Sequence, residues 1–317
     1  MFCCQIDAAG VRRMSLIEDL AKVMSESIEK YQIKEDKVIN VGDGNLLHCG
    51  DNEEFMKALI NGDMKGKIQM IYIDPPFFSK ADYKARVVED GEAVKIHAYA
   101  DKWKNGLGGY LAMLGERLFL MKDLLSDDGL IWVHLDWHAV HYVKIIMDEI
   151  FGADCFVNEI VWSYKSGGAS KKRFSRKHDT ILVYSKTNKY KFFVQKEKSY
   201  NRQFKPYHFK GVEEFQDEIG WYTMVNMKDV WNIDMVGRTS AERTGYATQK
   251  PEKLIERMIM CCTEEGDICA DFFCGSGTLP VVAGKLGRRF IACDSSQLAC
   301  DMARERLEKE GLRVRLD

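Results

Sequence analysis

Ile68-Gln69-Met70-Ile71-Tyr72-Ile73-Asp74-Pro75-Pro76-Phe77 is an apolar, β-prone run that stops on an acid and two prolines. Proline fixes φ, lacks a backbone donor and holds the preceding residue extended, so no strand or helix continues past Asp74. The segment reads as a buried strand ending in a rigid turn. That turn offers a carboxylate, carbonyls outside any ladder and the ring of Phe77, a set suited to a planar amino group.

Around this strand the chain alternates further strands (45–49, 130–135, 156–164, 180–184, 268–273, 289–293) with helices (53–60, 110–125, 252–262, 278–286 and one closing near 309). Asp136 is placed to cap another helix, ending at Ile150. The pattern predicts an α/β fold with a doubly wound, mostly parallel sheet covered on both faces. The polar stretch 79–105 reads as an irregular binding loop or lid, with Tyr99 and Trp103 placed to close over a ligand. The expected organisation is an N-terminal helical extension (1–36), a catalytic half (37–187), an inserted recognition module (188–245) and a cofactor half (246–317).

The 317 residues, 46% hydrophobic and 30% charged, suit a globular protein, and no apolar run approaches the ~20 residues of a membrane span. No secretory signal opens the chain, so a cytoplasmic location is expected. The ten cysteines lack a regular framework or any Cys-x-x-Cys pair, which predicts reduced thiols and no structural zinc. His134, His138 and His141 lie four and three apart, but no carboxylate pattern completes a site, so no metal is expected.

Charge is uneven. Residues 165–210 carry fourteen Lys and Arg against Asp179 and Glu197, a net +12 that leaves −14 for the remainder of a chain at −2. Aromatics interleave this stripe, and such a stripe on an acidic protein is the footprint of a polyanion, with nucleic acid favoured. Lys171, Lys172, Arg173, Arg176 and Lys177 are the candidate phosphate contacts.

Asp271-Phe272-Phe273-Cys274-Gly275-Ser276-Gly277-Thr278 joins a strand to a helix, and the next strand ends at Asp294, where a carboxylate can take ribose hydroxyls. Pro280 stands where a dinucleotide fingerprint has its third glycine, and no Gly-Lys-Ser/Thr follows. A nucleoside without phosphates fits better.

Asp74-Pro75-Pro76-Phe77 followed by Asp271-x-Phe273-x-Gly275-Ser276-Gly277-Thr278 resembles the catalytic and cofactor motifs of β-class adenine-N6 DNA methyltransferases, including the core of type III modification subunits. Tyr246-Ala247-Thr248-Gln249-Lys250-Pro251-Glu252 resembles the segment meeting the methionine end of S-adenosylmethionine, and Gly50-Asp51 the site beside its adenine. The order of motifs is that of the same class. The resemblance implies a circularly permuted, seven-stranded-type, Rossmann-like fold and catalytic roles for Asp74, Pro75, Pro76 and Phe77. It implies cofactor contacts at Asp51, Thr248, Gln249, Lys250, Asp271, Phe273, Gly275, Ser276, Gly277, Thr278 and Asp294. It further implies double-stranded DNA as partner, and is compatible with a homodimer and a cognate restriction endonuclease.

Two departures stand out: Phe77 replaces the family's usual Tyr, and type III subunits are much longer. Cytosine-N4 methylation, adenine-N6 methylation of RNA and an inactive nucleic-acid-binding protein are the competing readings. Asp74 argues against the first, because cytosine-N4 enzymes usually carry Ser there, and the intact Asp74, Gly275 and Gly277 argue against the last.

Overall fold

The computed structural model describes residues 37–77, 82–89, 92–100, 106–165 and 170–317; the expected 1–36 extension and Trp103 lie outside the described residues. The first elements are β1 (Leu46–Cys49), α1 (Asn52–Asn61), β2 (Ile68–Ile73), β3 (Asp82–Glu89) and β4 (Glu92–Ala100). Then come α2 (Gly106–Leu124), β5 (Leu125–Leu135), α3 (Val140–Phe151), β6 (Phe156–Ser163) and β7 (His178–Ser185). β8 (Lys196–Tyr200), β9 (Phe215–Gln216), β10 (Trp221–Asn226) and β11 (Val230–Asn232) follow. The chain closes with α4 (Glu252–Cys262), β12 (Ile268–Asp271), α5 (Thr278–Lys285), β13 (Arg289–Asp294), α6 (Gln297–Lys309) and β14 (Arg315–Leu316).

Nine strands form one sheet in the order β11-β6-β7-β5-β2-β12-β13-β1-β14. Only β7 runs against its neighbours, pairing antiparallel with β5 and β6. The edge strands β11 and β14 extend the expected seven-stranded arrangement. Residues of α1, α2 and α3 pack one face through Phe55, Leu114 and Val143, while α4, α5 and α6 cover the other through Met258, Val281 and Leu307. β2 lies between β5 and β12, and all six of its residues are buried. Burying a large apolar side chain contributes about 1.5–3 kcal/mol, against a net ~1 kcal/mol for one hydrogen bond. Ile68, Met70, Ile71 and Ile73 are therefore the main anchors of the turn that follows.

Two expectations change. Within the stretch expected to be irregular, β3 and β4 pair antiparallel, with Glu89 opposite Glu92. The intervening Asp90-Gly91 is a strong hairpin signal in its own right. Asp136 does not cap α3. Its Oδ1 accepts from the His138 amide at 2.9 Å, one turn early, and Ala139 takes the cap position without a side-chain bond. Segment 188–245 contributes a three-stranded sheet, β8-β10-β9, and then returns to the main sheet through β11. The eight described cysteines are free, and burial pushes the Cys269 thiol up to about 12.

Candidate active site

The chain leaves β12 toward β13 on one side and β2 toward β5 on the other, so strand order reverses between β2 and β12. In open α/β sheets such a reversal opens a crevice at the carboxyl ends of the strands. A cleft of about 280 Å³ lies there. Ten of the eleven expected cofactor residues line it: Asp51, Thr248, Gln249, Lys250, Asp271, Phe273, Gly275, Ser276, Thr278 and Asp294. Asp74 and Pro76 line its other wall, while buried Pro75 and Gly277 and half-buried Phe77 lie next to the lining without forming part of it.

Gly277 is left-handed (φ +74°), and an added Cβ would stand 2.8 Å from that of Ala303 on α6. At Gly275 (φ +49°) an added Cβ would stand 3.1 Å from the Tyr246 ring. A side chain at either position would push the loop off its neighbours. Asp294 holds the loop from the end of β13: Oδ2 accepts from the Gly275 amide at 2.9 Å and Oδ1 from Ser296 at 2.9 Å. Each oxygen keeps a lone pair. Burial raises the Asp294 carboxyl from its usual range, against those amide bonds. Asp271 is driven well above its ordinary value, by burial first and then by Asp74 and Asp294.

Asp51, Asp74, Asp271 and Asp294 thus face Arg117 and Lys250 across one cleft. Asp74 pairs with Lys250 and Asp51 with Arg117, so the cleft offers hydrogen-bond acceptors and no basic clamp for phosphates. S-adenosylmethionine, carrying a sulfonium and an amino-acid group on a nucleoside, fits this donor set.

Buried Arg306 fastens the two cofactor segments together. It donates to Ser276 O (3.3 Å), Thr278 Oγ1 (3.1 Å) and Glu252 Oε1 (2.6 Å), and Thr278 Oγ1 donates to the Lys250 carbonyl (3.3 Å). Burial opposes ionisation of Glu252, but Arg306 and Lys285 outweigh it and hold the carboxyl below its ordinary value. On the far wall Arg117 bonds Asn52 Oδ1 at 2.6 Å and reaches Asp51 Oδ2 at 3.4 Å. Asp51 itself caps α1, its Oδ1 accepting from Glu53 and Glu54.

Residues 68–305 match the family described as DNA methylase. The chain belongs to that family. Its methyl donor is S-adenosylmethionine, and the protein is a DNA methyltransferase. The type II methyltransferase M2.DpnII of Streptococcus pneumoniae is 30% identical over 252 residues, covering 77% of this methylase and 84% of that one. M.HpaI of Haemophilus parainfluenzae is 29% identical over 255 residues, 80% of this chain and 72% of the relative. The StyLTI Mod subunit of Salmonella typhimurium, a type III enzyme, is 30% identical over 162 residues, 47% of this chain but 25% of the subunit. Among solved structures, the cytosine-N4-specific PvuII methyltransferase superposes with a TM-score of 0.58 at 15% identity, covering 89% of this chain and 97% of that one. The M1.HpyAVI–SAM complex gives 0.54 at 20% identity, over 83% and 98%. These last two share the fold.

In this methylase the turn after β2 rests on a network that the motifs did not announce. Phe77 lies 5.8 Å from the His134 ring at an interplanar angle of 30°. His134, fully buried, sits between Tyr72 Oη (3.0 Å from Nδ1) and Asp179 Oδ2 (3.3 Å from Nε2), and Tyr164 donates to Asp179 Oδ1 at 3.1 Å. Burial acts to raise the Asp179 carboxyl, but His134, Lys250 and Tyr164 hold it low. His138 instead pairs with Asp136, and among the described residues no cluster has the makings of a metal site. Nor is any described helix long and apolar enough to cross a membrane.

The five candidate phosphate contacts lie outside the cleft, on the loop leaving the carboxyl end of β6. β6 runs parallel to β2 and β12 by way of antiparallel β7, so that loop leaves from the same edge of the sheet as the cleft. Lys171, Lys172, Arg173 and Arg176 are exposed, Lys177 is half-buried, and Phe174 between them is 98% exposed. The Arg176 guanidinium lies 3.5 Å from the centroid of Trp137. Other bases of the stripe are spent internally: Lys186 on Asp127, Lys191 on Glu264 and Asp267, and Lys198 on Asp217.

Proposed function

We propose that this methylase transfers a methyl group to the N6 amine of adenine at specific sites in double-stranded DNA, after the base has left the duplex. The observation that carries this reading is Asp74 Oδ1, a buried carboxylate oxygen with no hydrogen-bond partner among the described residues. Its residue opens into the same cleft as the Gly275–Thr278 loop. When bound, S-adenosylmethionine supplies an electrophilic sulfonium methyl. The Asp271–Thr278 loop, Asp294, Asp51, Thr248 and Gln249 are the residues placed to hold it.

The lone pair of an exocyclic adenine amine is delocalised into the ring and is a poor nucleophile. Asp74 Oδ1 and the Pro75 carbonyl accept its two N–H groups and draw the nitrogen toward tetrahedral geometry, which localises the lone pair. Positioning and preorganised electrostatics then supply the rate. Extrusion of the base costs unstacking energy, and stacking on Phe77 returns ~1–3 kcal/mol of it. Asp before the two prolines favours adenine over cytosine, by the resemblance given above. Residues 37–187 serve as the catalytic half, 188–245 as the target-recognition module and 246–317 as the cofactor half. A cytoplasmic location, a homodimer and a cognate restriction endonuclease complete the proposal, the last suggested by the restriction-modification names among its relatives.

Incubation with unmodified genomic DNA and labelled S-adenosylmethionine, followed by modified-base analysis, should yield N6-methyladenine. Label in N4-methylcytosine alone, or only in RNA, would overturn the assignment. Within the site, Phe77→Tyr should keep kcat/KM within about threefold, since the stacking face is retained. Phe77→Ala should lower it roughly 10–100-fold, the equivalent of one lost stacking contact. Steady-state kinetics on a single-site duplex measures both, and a harmless alanine would remove the stacking role.

A further inference from the structure

The ammonium of Lys250 bonds Asp74 Oδ2, and the two side chains are 11% and 15% exposed. Among the described residues its one other hydrogen bond is a long one, 3.4 Å to the Thr248 carbonyl, and it stands 5.3 Å from the centroid of Phe77. The Lys250 backbone is in turn pinned by Thr278, which Arg306 holds. A carboxylate on a free side chain can turn either oxygen toward a ligand. Here one oxygen is occupied by a charge-assisted bond, the stronger class of hydrogen bond, and the other is buried without a partner among the described residues.

We propose that Lys250 is a positioning residue for methyl transfer: it occupies Asp74 Oδ2 and thereby presents Oδ1 as the acceptor for the target amine. This rests on the adenine-N6 reading and names how that site is set. It also separates Lys250 from Thr248 and Gln249, its neighbours in the segment expected to meet the cofactor. The ammonium points across the cleft to the catalytic turn, and through Thr278 its backbone couples the cofactor loop to that turn. Ordering of the Gly loop and aiming of Asp74 become one event.

The arrangement suits the chemistry. An amine entering the cleft brings two donors, and a carboxylate free to rotate could satisfy one of them in several poses. With Oδ2 taken, a single pose remains, which is the kind of restriction that raises the effective concentration of a reactive geometry.

The test separates an effect on Asp74 from an effect on the cofactor. Lys250→Met should lower kcat on duplex DNA by on the order of 10²-fold, and Lys250→Arg should recover at least a tenth of the wild-type value. Lys250→Met leaves an unpaired buried carboxylate, so the decisive comparison uses the neutral Asp74→Asn background. There, calorimetric S-adenosylmethionine affinity of Asp74→Asn/Lys250→Met should match that of Asp74→Asn within about threefold, because no buried charge is stranded. A tenfold or larger loss in the double variant would make Lys250 a cofactor ligand and overturn the proposal, as would unchanged kcat in Lys250→Met. If the wild-type enzyme yields no N6-methyladenine, the adenine reading fails instead, and the calorimetric comparison still reports on Lys250.

Discussion

Asp74→Asn is expected to lower methyl transfer by on the order of 10³-fold, the scale set by loss of one preorganised electrostatic group, while S-adenosylmethionine binding stays within about threefold. The amide is nearly isosteric with the carboxylate, but it turns a donor toward the two donors of the target amine. It still offers Lys250 an oxygen, so the fold should be kept. Asp74→Ala should be equally inactive and also less stable. It strands the Lys250 ammonium in a site where both side chains are largely buried, and breaking a buried pair from one side costs about 3–5 kcal/mol. Combining Asp74→Ala with Lys250→Met should restore much of that stability and none of the activity. Thermal unfolding, isothermal calorimetry and single-turnover methylation distinguish these outcomes, and near-normal turnover in Asp74→Asn would remove Asp74 from the mechanism.

Legibility of the site in the sequence followed the range of the interactions. The Asp74–Phe77 turn and the Gly275–Gly277 loop are local features, marked by residues whose backbone chemistry is peculiar to them. Their meeting in one cleft follows from the alternation of strands and helices and the strand reversal between β2 and β12. What escaped reading is made by partners distant in the chain. Arg117 meets Asn52 across 65 positions, and Arg306 meets Glu252 across 54. Both arginines lie on helices, where the default expectation for a charged residue is solvent. A long cation at a buried helical position was the available signal. His134 bonds Asp179 of β7, and no spacing rule connects the two. The hairpin at 82–100 differs, because Asp90-Gly91 is a local turn signal while the polar composition around it points to a loop.

Replacing Lys171, Lys172 and Arg173 together by Gln should weaken duplex binding on the order of 10²-fold at physiological salt and flatten the dependence of log K on log salt by about 2–3. The count follows from the structure more than from the charge excess of the stripe. Of its bases, Lys186, Lys191 and Lys198 are already neutralised by acids of the protein itself, so they release no counterions on binding. Arg176 is stacked over Trp137 and Lys177 is half-buried. Lys171, Lys172 and Arg173 are exposed, with no ion pair to any described residue, and the Ser170 hydroxyl accepts from the amides of Lys172 and Arg173 to hold their turn. Each phosphate contact contributes a slope of ~0.9 on duplex DNA, and three such contacts set the expected change. Because phosphates carry no sequence information, the loss should be the same for cognate and unrelated duplexes, and kcat at saturating DNA should be unaltered. Fluorescence anisotropy titrations from 50 to 200 mM salt, the range over which such contacts dominate, read the slope directly. An unchanged slope would return the loop to a solvated surface and move the search for phosphate contacts to the exposed Arg202, Lys205 and Lys210 of the module beyond β8.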